Sequence, residues 1–187
     1  MRSTIFTFLS LLLFPVVMHA QIVISEIMYN PPESGVDSLE FIELYNPSDV
    51  AVDIEGYAFT AGVTHEFSSV VIQGQGYLVV AVDAAAMQNV FGISPVQWTD
   101  GALNNGGEPI AIVDDQGNLI DEVEYSPTGD WPPNADGGGS SLELCDPASD
   151  NSDPSNWQAS DFGTGVMING LEVMASPGMD NCAIDAD

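Results

Sequence analysis

The oxygen donors of one C-terminal stretch are the residues best suited to do chemistry. Asp146, Asp150, Asn151, Asp153 and Asn156 crowd carboxylate and carboxamide oxygens into a short loop. With backbone carbonyls they could supply the roughly six to eight hard ligands that Ca²⁺ takes. The spacing is not that of a recognised calcium loop, and the same residue types build Asx turns. The stretch therefore reads either as a Ca²⁺ site or as a run of turns ahead of Trp157. Other chemistry is thinly provided for. His65 is the sole imidazole beyond position 20, and its neighbours Thr64, Glu66 and Phe67 form no metal or nucleophile motif. Carboxylate pairs such as Glu40/Glu43 or Asp114/Asp115 could in principle act on glycosides, but a chain with 28 acidic residues produces such pairs by chance.

Cationic chemistry is almost excluded, because the single Lys or Arg is Arg2. Without Arg2 the 28 acidic residues face no Lys or Arg at all. Such a surface repels phosphate backbones and anionic lipid, so no direct nucleic-acid binding is expected. Mutual repulsion among the carboxylates must be relieved by solvent, salt, backbone N–H groups or divalent cations. Asp37, Trp98 and Trp131 are candidate exposed elements near Gly and Pro residues. An exposed Trp could stack on a sugar ring while Asp or Asn bonds its hydroxyls, which makes Trp98 and Trp131 the candidate recognition aromatics.

Cys145 and Cys182 are the only cysteines. They form no C-x-x-C and have no basic neighbour to activate a thiol. In an exported chain the expectation is a Cys145–Cys182 disulfide that ties the tail back onto the domain, a constraint typically contributing about 2–4 kcal/mol.

The elements that must position these residues are mostly strands. Ile22–Ile27, Leu39–Tyr45, Val50–Ile54, Tyr57–Thr60, Thr64–Phe67 and Val70–Ile72 are short apolar runs separated by Gly, Pro, Asn and Asp. Leu39, Phe41 and Ile42 are expected to face apolar surroundings. Tyr77–Val82 is the strongest uninterrupted strand. Glu108–Val113 and Leu119–Tyr125 predict a hairpin over the turn 114–118, with Ile110, Ile112, Leu119 and Val123 on its buried face. Ser140–Leu144 adds a strand, and Met167–Val173 one last strand or turn. Asp83–Phe91 is the helical exception, with Asp83 as its cap and the Ala84–Ala86 run favouring helix. This pattern of short strands predicts a sandwich or barrel, with one short crossover helix.

Ile5–Val17 is strongly apolar, follows a basic head, and leads to His19, Ala20 and Gln21. This is the pattern of a cleavable secretory signal over residues 1–20, and it falls short of the roughly 20 apolar residues a bilayer span needs. The expected organisation is a single domain over 21–182 and a short tail over 183–187. No second domain boundary is visible.

Several blocks resemble the lamin-tail domain family, including its bacterial secreted members. They are Ile22-Val23-Ile24-Ser25-Glu26-Ile27-Met28-Tyr29-Asn30-Pro31, Glu40-Phe41-Ile42-Glu43-Leu44-Tyr45-Asn46-Pro47 and Val52-Asp53-Ile54-Glu55-Gly56-Tyr57. Gly76-Tyr77-Leu78-Val79-Val80, Leu103-Asn104-Asn105-Gly106-Gly107-Glu108, Ser140-Ser141-Leu142-Glu143-Leu144, Asn156-Trp157 and Ser176-Pro177-Gly178 continue the likeness across nearly all of Gln21–Asn181. The resemblance implies an all-β, immunoglobulin-like β-sandwich. It also implies that Glu43 and Asn46 bond turn backbones before Pro47, that Asn104, Asn105 and Gly107 shape a tight loop, and that Trp157 anchors the core or its edge.

These readings converge on a non-catalytic extracytoplasmic interaction or structural module, with calcium stabilisation as an added expectation. A carbohydrate-binding module and a secreted metal-assisted hydrolase are the alternatives. The expected partner is an extracellular or envelope protein or a glycan, met in secreted or surface-retained form, with no stable membrane insertion after signal cleavage.

Overall fold

A computed structural model describes residues 22–182. The expected export segment 1–20 and the tail 183–187 lie outside the described residues. The first strands are β1 (Val23–Met28), β2 (Phe41–Tyr45), β3 (Val52–Asp53), β4 (Ala58–Ala61), β5 (His65–Glu66), β6 (Val71–Ile72) and β7 (Tyr77–Ala81). Helix α1 (Ala84–Phe91) separates β7 from β8 (Val96–Gln97), β9 (Glu108–Val113) and β10 (Leu119–Tyr125). β11 (Leu142–Leu144), β12 (Trp157–Ala159), β13 (Gly163–Ile168) and β14 (Leu171–Met174) complete the described chain.

Alternation along the strands explains how they assemble. In β2, Ile42 and Leu44 point to one side while Phe41 and Glu43 point to the other, as a two-residue period requires. β2 lies inside a six-stranded sheet of order β12-β11-β1-β2-β7-β8. Its inner face meets a four-stranded sheet of order β10-β9-β4-β5, and together they form an immunoglobulin-like sandwich. Ile24, Ile42, Leu44, Val80, Leu142 and Leu144 meet Phe59, Ile110, Ile112 and Val123 in the main core. The outer face of the larger sheet is covered as well. Met28, Phe41, Val79 and Ala81 pack there with Met87 of α1 and with Val173 and Ala175 at the end of the β13–β14 hairpin.

Local chemistry fixes the one helix. The Asp83 carboxylate accepts from the N–H groups of Ala85 (2.9 Å) and Ala86 (3.1 Å), capping donors that have no partner inside the helix. Gly92 ends it in the left-handed conformation at φ 73°. The helix carries the chain from β7 to β8, which pair in parallel. This is the expected crossover.

Two details depart from expectation. The β9–β10 hairpin forms over the expected ranges, but its register shifts between Leu119 and Asp121. The extra residue puts Leu119 out of phase with Val123, so Leu119 is 57% exposed while Val123 is buried. The region expected to hold one last strand or turn instead folds as the two-stranded hairpin β13–β14, whose first strand begins at Gly163.

Candidate functional site

The Asp- and Asn-rich loop connects β11 to β12. Asp146 accepts from the Ala148 N–H (2.9 Å), Asp150 from the Ser152 N–H (3.0 Å) and hydroxyl (2.7 Å), and Asp153 from the Ser155 N–H (2.9 Å). Each carboxylate thus closes an Asx turn two residues ahead. The Ser152 hydroxyl and N–H hold the Asp150 carboxyl below its ordinary range. Asn156 donates to the Asp150 carbonyl (2.8 Å), keeping the loop compact. Asn151 reaches out of the loop and donates to Asp121 on β10 (2.7 Å), and its carbonyl accepts from the Trp157 indole (2.8 Å). The loop is organised as turns. Among the described residues no group of three or more His, Cys, Asp or Glu is arranged to hold a metal ion.

Cys145 at the start of this loop is bonded to Cys182, as expected. The disulfide brings the loop and the closing segment Ser176–Cys182 together.

The candidate recognition aromatics face inward, the alternative that their sequence context leaves open. Trp98 is 5% exposed and donates to the Gly101 carbonyl (3.0 Å). Trp131 is 7% exposed and packs on Trp157 with ring centroids 5.8 Å apart. Large aromatics fill a sandwich core efficiently, and neither ring face is free for a sugar. His65 lies edge-on to Phe67 at 4.7 Å with its Nδ1 3.2 Å from the Thr99 hydroxyl, and partial burial lowers its pKa.

One end of the sandwich gathers polar side chains from distant segments. Asn105 bonds both Asn30 (3.1 Å) and Asp37 (3.2 Å), and Asn30 donates to Asp136 (2.7 Å). Beneath them the buried Glu40 accepts from the Leu103 N–H (2.9 Å). Burial pushes its carboxyl up to about 7, opposed by that N–H and aided by Asp37, Glu108 and Glu33. The Asn104–Gly107 turn forms as the family resemblance implied. Gly107, at φ 91°, sits so close to the Tyr125 carbonyl that a Cβ there would come within 2.6 Å of it.

A second acidic group was not anticipated from the sequence. Glu143 on β11, Glu26 on β1 and Glu43 on β2 lie directly opposite one another across adjacent strands. All three are buried, on the outer face of the six-stranded sheet. Each accepts one hydroxyl and one backbone N–H: Glu43 from Ser25 and Gly178, Glu26 from Ser141 and Ser176, Glu143 from the Ser176 hydroxyl and Cys182. Burial, and next the charge of Glu43, pushes the Glu26 carboxyl well up from its usual range. Burial likewise pushes Glu43 up to about 8, against the bonds from Gly178 and Ser25. Glu43 thus bonds the closing segment, whereas the sequence reading had it serving the turn before Pro47. Asn46 does serve that turn, donating to the carbonyls of Val50, Ile72 and Gln73. The signal that could have revealed the row is a Glu inside each of three apolar strand runs, in a region without Lys or Arg.

The model of the Lamin Tail Domain family matches residues 18–127. The chain belongs to this family. The matched part of this lamin-tail domain carries Glu26 and Glu43, while Glu143, the acidic loop and the closing segment lie beyond it. Those later residues complete the same sheet, because β11 pairs with β1. No curated protein matches the chain.

Proposed function

We propose that this lamin-tail domain is a non-catalytic, extracytoplasmic interaction or structural module whose partner presents basic or hydrogen-bond-donating groups. The observation that carries this reading is the fixed polar end of the sandwich, where Asn30, Asp37, Asn105 and Asp136 are bonded into one surface. Its oxygens are held by a rigid scaffold, and residues 22–182 contain no Lys or Arg to neutralise them from within. Rigid loops on a β-sandwich suit partner presentation. Export rests on the apolar run Ile5–Val17 with its basic head. Among the described residues no helix is long and apolar enough to cross a membrane.

The test is capture of envelope and extracellular proteins, alongside a glycan array, by oxidised protein and by an Asp37→Asn/Asp136→Asn variant. Retention that depends on the two carboxylates and weakens with salt supports the reading. Binding indifferent to both substitutions removes the polar end from it. Metal-dependent hydrolytic turnover lost on carboxylate substitution would replace the module with an enzyme.

Calcium forms a weaker arm of the proposal, at the loop containing Asp146, Asp150 and Asp153. In its favour stands the density of hard oxygen donors. Against it stand the turns that already use an oxygen of each carboxylate. A melting titration with Ca²⁺ against Mg²⁺ tests it, and equal shifts assign the effect to charge screening.

A further inference from the structure

The buried glutamates are arranged around the closing segment rather than around a cavity. Of the six donors they accept, four come from that segment: the N–H groups of Ser176, Gly178 and Cys182 and the Ser176 hydroxyl. Asn181 adds a bond to the Ser25 carbonyl (2.7 Å) on β1. The segment is pinned at both ends, by the Ala175 N–H bonded to the Phe162 carbonyl (3.0 Å) and by the Cys182–Cys145 disulfide. Between those pins its grip on the sheet consists largely of bonds to carboxylates.

No positive charge balances the row. Tyr45 and Tyr77 lie on the same face from β2 and β7, and Gln158 lies opposite Glu143 on β12. The closing segment brings Asp180, which accepts from the Tyr77 hydroxyl (3.0 Å). Asp161 lines the small gap beside Glu143, and Glu172 of the hairpin turns away to the Gly165 N–H. Helix α1 contributes no charged residue. Side chains directly opposite on paired strands have Cβ atoms about 4.5–5.5 Å apart, so three full charges here would repel strongly. One atom sharpens the problem. Among the described residues the buried Glu26 Oε2 has no donor. A proton on Glu26 Oε2 relieves the repulsion and turns the orphaned acceptor into a donor.

We propose that Ser176–Cys182 is a pH-operated flap, held down while the Glu143–Glu26–Glu43 row retains a carboxyl proton and released when all three groups ionise. The N–H groups of the flap favour the first charges on the row. The last ionisation creates a buried charge next to two others, and water can reach it only if the flap lifts. Burial raises the carboxyls of Glu26 and Glu43, so release belongs to mildly alkaline conditions. Lifting Pro177–Met179 also removes one wall of the roughly 350 Å³ cleft lined by Val90, Phe91 and Phe162.

Amide hydrogen exchange on the oxidised protein tests this. Between pH 6 and 9, protection of the Ser176, Gly178 and Cys182 amides should fall by about tenfold or more, after correction for the intrinsic base-catalysed rate, the equivalent of one pKa unit. The Ile110 and Ile112 amides should stay protected. Glu26→Gln removes one charge and supplies an N–H, so its flap should remain protected through pH 9. Constant protection in the native protein, or an equal loss in the variant, overturns the proposal. Carboxyl ¹³C titration of the native protein gives a reading independent of the variant. A row midpoint coinciding with the loss of flap protection supports the flap, and three ordinary carboxyl midpoints overturn it.

Discussion

Two acidic groups stand at opposite ends of one disulfide and meet the same difficulty in opposite ways. In the loop after Cys145, Asp146, Asp150 and Asp153 face solvent and take bonds from N–H groups two residues away. On the sheet beneath Cys182, Glu26, Glu43 and Glu143 are buried and take bonds from residues far along the chain. Local bonds survive the loss of tertiary structure in part, whereas distant ones vanish with it. Acidity at the loop is therefore cheap and only loosely tied to the fold. At the row it is coupled to the fold.

The largest expected consequence is a dependence on pH with opposite signs in the two places. Glu43 ionises near 4.5 when unfolded and about 8 when folded. The folded protein then holds more protons than the unfolded one, so this contribution is fully present below about 4.5 and is lost as pH rises toward 8. The resulting loss of stability, on the order of a few kcal/mol, should be visible as a falling melting temperature across that window. Glu43→Gln should make the fall shallower, leaving the part that the raised carboxyls of Glu26 and Glu40 contribute. Asp150 works the other way, since its folded carboxyl lies below the ordinary 3.8 and its contribution is lost only as pH falls through that region. A melting temperature that rises from pH 5 to 8 would show that the buried row does not govern alkaline stability.

Breaking the bond that joins the two groups comes next. Reduction, or Cys145→Ser/Cys182→Ser, should cost about 2–4 kcal/mol. Exchange of the flap amides should speed up while far-ultraviolet circular dichroism retains most of its β signal, because every strand of the two sheets except the edge strand β12 lies upstream of Cys145. Global loss of that signal on reduction would mean that the closing segment is required for the sandwich to form.

Much of the scaffold was legible because its signals are local. Asp83 and Gly92 mark the ends of α1, and the 114–118 turn sets the β9–β10 hairpin, through contacts made within a few residues. The Asx turns of the acidic loop were one of two readings for the same reason. What escaped the sequence depends on register between strands. Leu119 moved outward because of a bulge that no periodicity reveals. Trp98 and Trp131 face inward because two sheets meet around them, and their spacing along the chain carries no trace of that. The glutamate row exists only once β11, β1 and β2 pair in register, bringing residues 143, 26 and 43 side by side.

A more selective comparison removes one hydrogen-bonding partner from each group. Ser176→Ala deletes the hydroxyl that satisfies Glu143 and leaves a buried acceptor short, which should cost about 1–3 kcal/mol in chemical denaturation. The Ser176 N–H to Glu26 persists, so the flap should stay in place at neutral pH.

The smallest effect belongs to the loop. Asp153→Ala removes the cap on the short turn Pro154–Asn156, and capping residues are typically worth about 0.5–2 kcal/mol, with exposed and short elements at the low end. Solvent can replace the lost acceptor at the Ser155 N–H, because that bond is exposed. A loss of about 0.5 kcal/mol is therefore expected, and it should be the same at pH 6 and pH 8, the interval in which Glu43 changes charge. Urea denaturation of the variant at both pH values checks it. A cost that doubled at the higher pH would mean that the loop and the row communicate through the Cys145–Cys182 link, and that the contrast between exposed and buried acidity is not local to each group.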